Sequence, residues 1–221
     1  MAIALRVRGD RPPLLAPLRG LAVAREESAA VMAALQGRTE AEIQSRFDDG
    51  HRAYVASVDG VRAAWGWAAT ATATIGEMAR TLTIGPGERY LWNFVTLPSH
   101  RGLGIYPRLL EAIVEAESAE AGMFWIAYAP ENHASAAGIR KAGFTVIAEL
   151  SFDQAGVPAL RPEDGREHEA SKASRLTGLR SIEESLAQCW RCVRMGRTAE
   201  ASCAPGRCAC DYQRPDVACV A

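Results

Sequence analysis

The sequence predicts an α/β fold in which helices flank one mixed β-sheet. Residues 90–150 run strand, glycine-rich loop, helix, strand, short helix and strand. A strand, a helix and a second strand with short connections imply a right-handed crossover between parallel strands. Upstream, residues 52–74 show a hairpin pattern, and hairpins join antiparallel strands. Parallel and antiparallel pairs together make the sheet mixed.

The first half of the chain carries helix and hairpin signals. Apolar residues recur at helical spacing over residues 26–47, and Gly37 is expected to divide this segment into two helices. Residues 52–58 alternate as a strand and end at an Asp-Gly dipeptide, which is a strong hairpin turn. A second strand is expected to follow over residues 61–74.

The central strand is predicted over residues 90–96, after a short strand over residues 80–84. It is apolar on both faces, as a strand in the middle of a sheet should be. Strict alternation assigns its side chains to two opposite faces. Leu91, Asn93 and Val95 are expected on one face, and Tyr90, Trp92 and Phe94 on the other.

Residues 105–121 are predicted to form a helix with one apolar stripe. Glu117 interrupts this stripe, so the last turn is expected to fray toward solvent. The remaining elements are a strand over residues 123–129, a short helix over 134–142, a strand over 144–150 and a helix over about 170–186.

Size and charge limit the class of protein. A chain of 221 residues can bury one core, so we expect one domain over residues 1–150, a linker and helix over 151–187, and a cysteine-rich tail over 188–221. A formal net charge of -1 and a pI near 6.4 argue against nucleic acid or an anionic membrane as partner. The N-terminus lacks a signal peptide's apolar core, and no apolar run is long enough to span a membrane. We therefore expect a cytoplasmic monomer or homodimer.

The most informative loop is Arg101-Gly102-Leu103-Gly104, which lies between the central strand and the following helix. Glycines allow a ligand to approach the backbone closely, and the first amides of a helix lack internal acceptors. These amides also lie at the positive end of the helix dipole, which favours an anion such as a pyrophosphate. Pro107 suits the first helical turn and marks where the helix begins. A tight turn without a ligand is the alternative interpretation.

The six cysteines all lie at the C-terminal end of the chain. In a reducing compartment, clustered cysteines point to metal ligation rather than to disulfides. A Cys-x2-Cys pair with further thiolates can complete a zinc site, although the later spacings are less typical. Iron-sulfur ligation fits by count alone, and an unpaired-thiol tail is the alternative. The predicted ligands are Cys189, Cys192, Cys203, Cys208 and Cys210.

Two sequence blocks together resemble a known family. The first is VTLPSHRGLGIY, with Arg101 and Gly104 at two positions of an Arg/Gln-x-x-Gly-x-Gly/Ala loop. The second is NHASAAGIRKAGF, which begins at Asn132 and matches an Asn-x-x-Ser/Ala...Lys-x-Gly-Phe helix. In this order and spacing they resemble the GNAT superfamily of acyl-CoA N-acyltransferases, over about residues 50–150.

The resemblance implies a centrally splayed sheet that binds acetyl-CoA between two parallel strands, here residues 90–96 and 123–129. It implies that main-chain groups near the end of the first strand pair with pantetheine, and that loop amides bind the pyrophosphate. A residue at the start of the second block contacts the pantetheine arm from the other wall. The implied cofactor residues are Phe94, Val95, Leu97, Arg101, Gly102, Leu103, Gly104, Ile105, Tyr106, Asn132 and Ser135.

The implied reaction is direct attack of an amine, on a small molecule or a peptide, on the thioester. It needs a base for the ammonium proton and an acid for the leaving thiolate. Two positions depart from the family pattern, because Tyr106 replaces the usual Gly or Ala and Ile139 replaces a common Tyr acid. The alternative function is an acyl-CoA-binding or sensing module with a redox- or metal-responsive tail. The candidate catalytic residues are Asn93, Tyr128 and Glu88, with Glu77 and His100 as further candidates for the base.

Overall fold

The computed structural model describes residues 1–11, 13–76, 80–129, 132–153 and 155–183. Within these residues the strands are β1 (Ala2–Val7), β2 (Leu21–Glu26), β3 (Arg52–Val58), β4 (Val61–Ala69), β5 (Thr72–Ile75), β6 (Arg80–Thr83), β7 (Glu88–Thr96), β8 (Met123–Tyr128), β9 (Thr145–Phe152) and β10 (Pro158–Pro162). The helices are α1 (Ala29–Gln36), α2 (Glu40–Asp48), α3 (Ile105–Glu117), α4 (His133–Lys141) and α5 (Glu167–Thr177), with a 3-10 turn at Pro98–His100.

Eight of these strands form one mixed sheet in the order β10-β9-β1-β8-β7-β4-β3-β2, and β5 and β6 pair separately. The pair β7 and β8 is parallel, while the other neighbours in the large sheet are antiparallel. Helices α3 and α4 pack on one face, whereas α1, α2 and α5 pack on the other. The predicted α/β class and mixed sheet are therefore confirmed.

The parallel pair separates partway along its length. Residues Glu88 to Leu91 of β7 are in register with Met123 to Ile126 of β8, and the pairing stops there. Strand β7 nevertheless continues to Thr96, and β8 continues to Tyr128. The sheet is thus splayed at its centre, and the gap opens toward the loop that precedes α3.

Local signals placed several elements correctly. Gly37 ends α1 in the left-handed region at φ 61°, and Thr39 begins α2 with a reciprocal capping box to Glu42. The hairpin between β3 and β4 turns through two residues of positive φ, Asp59 and Gly60. The strand predicted over residues 61–74 is instead two strands, β4 and β5.

The N-terminal strand β1 was not predicted from the sequence. It inserts between β8 and β9 and is antiparallel to both. Its residues Ala2 to Leu5 are buried, as expected for a strand covered on both faces. Arg6 extends from this strand and donates from Nη1 to the carbonyl of Ala142 at 2.8 Å, which ties β1 to the C-terminal end of α4.

The sheet and its core continue beyond residue 150, where the sequence analysis placed the domain end. Strand β9 runs to Phe152, and β10 pairs with it at the sheet edge. Helix α5 runs from residue 167 to 177, where a helix was expected over about 170–186. It buries Ala170, Ala173 and Leu176 in the same core cluster.

The C-terminal end of α3 corrects the expectation that Glu117 faces solvent. Only 1% of the Glu117 side chain is exposed. Its carboxylate accepts from Arg52 Nη1 at 2.7 Å, from Arg89 Nε at 2.6 Å and from the Tyr54 hydroxyl at 2.5 Å. Burial, and next the bond to Glu117, raises the pKa of Tyr54. A buried carboxylate is tolerated here because three donors from two strands surround it.

Candidate active site

A β-bulge lies in β7 where the sheet splays. Trp67 is opposite Trp92 and Trp65 is opposite Val95, so two residues of β7 face the single residue Gly66. Asn93 is the extra residue, and its φ of 53° is in the left-handed region. An asparagine tolerates this conformation better than most side chains do.

The bulge overturns the strict alternation predicted for residues 90–96. Leu91 and Phe94 both pack on the face covered by α3 and α4, whereas Trp92 and Val95 both pack against the cluster under α1 and α2. The predicted faces were right through Trp92 and wrong from Asn93 onward, because one inserted residue shifts every later side chain to the opposite face.

Gly66 is required by this bulge, because a Cβ there would lie 2.1 Å from the ring of Phe94. We expect Gly66→Ala to lower the free energy of unfolding by about 1–3 kcal/mol, as overpacking in a core does. Urea unfolding measures the change. Gly122→Ala is the matched control, since a Cβ there meets nothing within 4 Å. Equal stabilities of the two variants would contradict the close packing.

The loop before α3 presents its backbone to solvent. Gly102 and Gly104 have φ of 80° and 70°, and Gly104 caps α3 without any side-chain hydrogen bond. The amides of Ile105 and Tyr106 begin the helix and have no acceptor within it. Pro107 contributes no amide, so the free donors are concentrated at the mouth of the gap between β7 and β8.

Two arginines order this loop. Arg101 is exposed and donates from Nε to the carbonyl of Thr96 at 3.1 Å, which joins the loop to the end of β7. Arg108 donates from Nη1 to the carbonyl of Gly104 at 2.7 Å, and its other nitrogens contact the carbonyl of Ala16. Both side chains donate to main-chain carbonyl oxygens, which holds the loop against its neighbours.

Tyr106, which replaces the Gly or Ala usual at this position, points away from the loop and toward α4. Its ring centroid lies 5.4 Å from that of Phe94, and it fills the space that Gly138 leaves by having no side chain. Its hydroxyl is 3.3 Å from Oγ of Ser135. Burial raises the pKa of Tyr106. The side chain therefore bridges the first turns of α3 and α4.

Asn132 begins α4, and its side-chain oxygen accepts from the amide of Ser135 at 2.9 Å. No described residue accepts from the amide nitrogen of its side chain. Ser135 and Ile139 are both buried, and Ile139 packs in the core beside α3. Position 139 thus holds a hydrocarbon side chain that has no proton to donate.

The predicted pantetheine contacts lie along the separated part of β7. Phe94 is buried, whereas Val95 and Leu97 are half-buried against the cluster under α1 and α2. The amide of Leu97 already donates to the carbonyl of Ala63 at 2.8 Å. Beyond Leu91 the edge of β7 that faces β8 has no strand partner among the described residues.

The structure does not place Glu88 with the other candidate catalytic residues. Glu88 lies at the opposite end of β7 from the gap, about 16 Å from Asn93 at 3.3 Å per residue. Its buried carboxylate accepts from the amide of Gly85 at 2.9 Å and from Arg175. Because these contacts occupy it, we do not retain Glu88 as the base.

The other candidates differ in their surroundings. Asn93 donates from Nδ2 to Oε1 of Gln36 at 3.1 Å, and His100 is bonded through Nδ1 to Oγ of its neighbour Ser99 at 2.9 Å. Tyr128 lies on β8 just past the end of its pairing with β7, and burial raises its pKa. Among the described residues its hydroxyl has no hydrogen-bond partner. Glu77 lies outside the described residues.

The predicted metal ligands also lie outside the described residues, since the tail begins beyond residue 183. Within the part of the chain that the structure describes, no group of three or more His, Cys, Asp or Glu side chains could hold a metal ion. In the same residues, no helix is long and apolar enough to cross a membrane.

The fold and the two sequence blocks match one family. The sequence profile of the acetyltransferase (GNAT) family matches residues 21–144, which is more than half of the chain. The chain therefore belongs to the acetyltransferase (GNAT) family, as the resemblance predicted. The comparison with curated proteins gave no match.

A comparison with solved structures found the following three proteins among its matches. A GCN5-related N-acetyltransferase from Kribbella flavida is 19% identical with a TM-score of 0.41, over 57% of this chain and 46% of that protein. The ribosomal-protein-S18-alanine N-acetyltransferase from Escherichia coli is 17% identical with a TM-score of 0.45, over 61% and 83%. An aminoglycoside N-acetyltransferase in complex with CoA is 16% identical with a TM-score of 0.46, over 64% and 98%. The chain thus spans less than half of the Kribbella flavida protein.

Proposed function

We propose that this protein transfers an acetyl group from acetyl-CoA to a primary amine of a small molecule or a peptide. The observation that carries the proposal is the gap between β7 and β8, which opens beyond Leu91 with the free amides of α3 at its mouth. An anion suits the amides, and an extended amide chain suits the unpaired edge of β7. Acetyl-CoA has both groups, because it carries a pyrophosphate and a pantetheine arm that contains amides.

The residues around the gap fit this cofactor. The amides from Gly102 to Tyr106 would bind the pyrophosphate, with Arg101 ordering the loop through Thr96. The separated edge of β7 from Phe94 to Leu97 would pair with the pantetheine amides. Asn132 would donate its free side-chain nitrogen from α4, whose first turn Ser135 and Tyr106 hold against α3.

The cofactor supplies an activated thioester. The protein must help to remove one proton from the acceptor and to deliver one proton to the leaving group. When the amine nitrogen bonds to the carbonyl carbon and the carbon-sulfur bond breaks, the ammonium loses a proton and the thiolate gains one. Asn93 cannot accept a proton because it is an amide, so its role would be to orient the acceptor or a water molecule.

We assign the proton donor to Tyr128. It borders the gap, its hydroxyl is not engaged among the described residues, and its raised pKa keeps the phenol protonated through the neutral range. Tyr106 is less suited, because its hydroxyl already contacts Ser135 and its ring fills the space beside Gly138. Ile139 has no proton to give.

We expect Tyr128→Phe to lower kcat about 100-fold, within the usual range for loss of a general acid. A deprotonated phenol cannot donate a proton. The kcat of the wild type should therefore fall only when the pH exceeds the raised pKa of Tyr128. The variant should lack this fall in kcat at alkaline pH, here called the alkaline loss. Thiol release from acetyl-CoA with an amine panel gives both measurements. Tyr106→Phe is the matched control and should keep the alkaline loss. A larger fall in Tyr106→Phe than in Tyr128→Phe would overturn the assignment.

A further inference from the structure

Arg46 of α2 lies over two neighbouring tryptophan rings on the face opposite α3 and α4. Its guanidinium carbon is 5.2 Å from the ring centroid of Trp67 and 4.9 Å from that of Trp92. Its Nη1 donates to Oε1 of Gln36 at 3.0 Å. The same oxygen accepts from Nδ2 of Asn93 at 3.1 Å, so Gln36 links Arg46 to the bulge where the sheet splays.

This arginine has no counter-ion among the described residues. It is half-buried, and burial is the main cause that lowers its pKa, followed by the nearby positive charge of Arg38. Glu42 is the acidic residue with an effect on it, but that carboxylate is bonded to Arg38 at 3.2 Å and to Thr39. A partly desolvated cation without a paired carboxylate favours an anionic ligand.

Several buried hydrogen-bond donors on the same face lack an acceptor within the described part of the chain. The side-chain nitrogens of Gln36, Trp65 and Trp67 are buried and have no hydrogen-bond partner among the described residues. His51 accepts from Nε1 of Trp92 through Nδ1 at 3.0 Å, so in its neutral form the ring carries its proton on Nε2 and gains a further donor. Buried donors without acceptors are uncommon in proteins and call for an explanation.

We propose that Arg46 binds the carboxylate or phosphate group of an anionic amine, which makes this face the acceptor site. The inference rests on the proposed function, because it names the acceptor of that reaction. Free Arg46 N–H groups supply the charge, the two tryptophans fix the plane of the guanidinium, and Gln36 holds it beside Asn93. The acceptor would then reach the gap from the face opposite the one covered by α3 and α4.

A purely structural role for Arg46 makes a different prediction. Stacking on Trp67 and Trp92 alone would stabilise the fold, but it would not distinguish an anionic amine from a neutral one. Discrimination between two amines that differ only in charge is therefore the decisive property.

The test uses the full chain labelled with ¹⁵N and follows the indole and arginine Nε–H signals by NMR. The probes are β-alanine and 3-aminopropylphosphonate, with β-alaninamide as the neutral probe. We expect at least one anionic probe to shift the Arg46 and Trp92 signals at concentrations at least tenfold lower than the neutral probe. Arg46→Gln should remove this difference, and Arg38→Gln, which deletes a nearby exposed arginine, should retain it.

Equal binding of charged and neutral probes by the wild-type protein would overturn the inference, even if Arg46→Gln failed to fold. An identical response of Arg38→Gln and Arg46→Gln would overturn it as well. These signals do not depend on acetyl-CoA, so the anion site is tested separately from the proposed function. Acetyl-CoA binding without discrimination among amines would leave the transferase proposal standing and remove this one.

Discussion

Replacing Glu117 with alanine is expected to lower the free energy of unfolding by about 3–5 kcal/mol. The carboxylate is almost fully buried and binds Arg52, Arg89 and Tyr54 from β3 and β7. Its loss leaves Arg89, whose side chain is 6% exposed, without its closest counter-ion. Breaking a buried pair from one side costs more than the pair contributes, because the remaining charge stays desolvated. Urea denaturation followed by circular dichroism measures the change.

Glu120 provides the control for this prediction. It contacts the same two arginines at 2.7 Å and 2.8 Å, but 58% of its side chain is exposed. We expect Glu120→Ala to leave the unfolding midpoint close to that of the wild type, because water solvates the arginine edge that it vacates. Similar losses in the two variants would show that burial of Glu117 does not determine the stability of this cluster.

Replacing Gly104 with valine is expected to weaken acetyl-CoA binding about 10–100-fold. The residue has φ 70°, a conformation that a β-branched side chain rarely adopts, and its Cβ would lie 2.6 Å from Nη1 of Arg108. Valine at this φ would carry about 1–3 kcal/mol of backbone strain. The loop would relax to relieve this strain, which would move the amides that begin α3. Isothermal titration calorimetry measures the affinity.

Gly178→Val controls for backbone strain alone. Gly178 has φ 66° at the C-terminal end of α5, and a Cβ there meets nothing within 4 Å. This variant should be less stable than the wild type and should bind acetyl-CoA equally well. If Gly104→Val also kept the wild-type affinity, the phosphate site would lie elsewhere.

The elements that the sequence predicted well depend on local chemistry. Gly37 and the Asp-Gly hairpin mark their turns within a few residues, and the loop at Arg101 leads directly into α3. Asn132 likewise acts through the first turn of its own helix. Such signals need no knowledge of distant neighbours.

The features that the sequence missed depend on partners far along the chain. The bulge at Asn93 arises from pairing with β4, and β1 is recognisable as a central strand only once β8 and β9 flank it. Glu117 looks like a break in an apolar stripe until Arg89 is placed beside it. The sequence shows a glycine at position 138, which leaves room for a large neighbouring side chain. Only the fold shows that the neighbour is Tyr106.

The candidate site shows the same division. The loop and the helix cap of the proposed cofactor site were predictable because they are short sequence blocks. The surroundings of the candidate catalytic residues were not, since Glu88 lies at the far end of β7 and Gln36 links Asn93 to Arg46 of α2. Helical spacing identified the buried side of α2 without showing that Arg46 lies there over two tryptophan rings.

Calorimetric titration of the full chain with acetyl-CoA tests the central claim most directly. We expect saturable binding at micromolar concentration, because the amides that begin α3 lie at the end of the gap where the edge of β7 has no strand partner among the described residues. No binding of acetyl-CoA at that concentration, by a protein shown to be folded by circular dichroism, would contradict it.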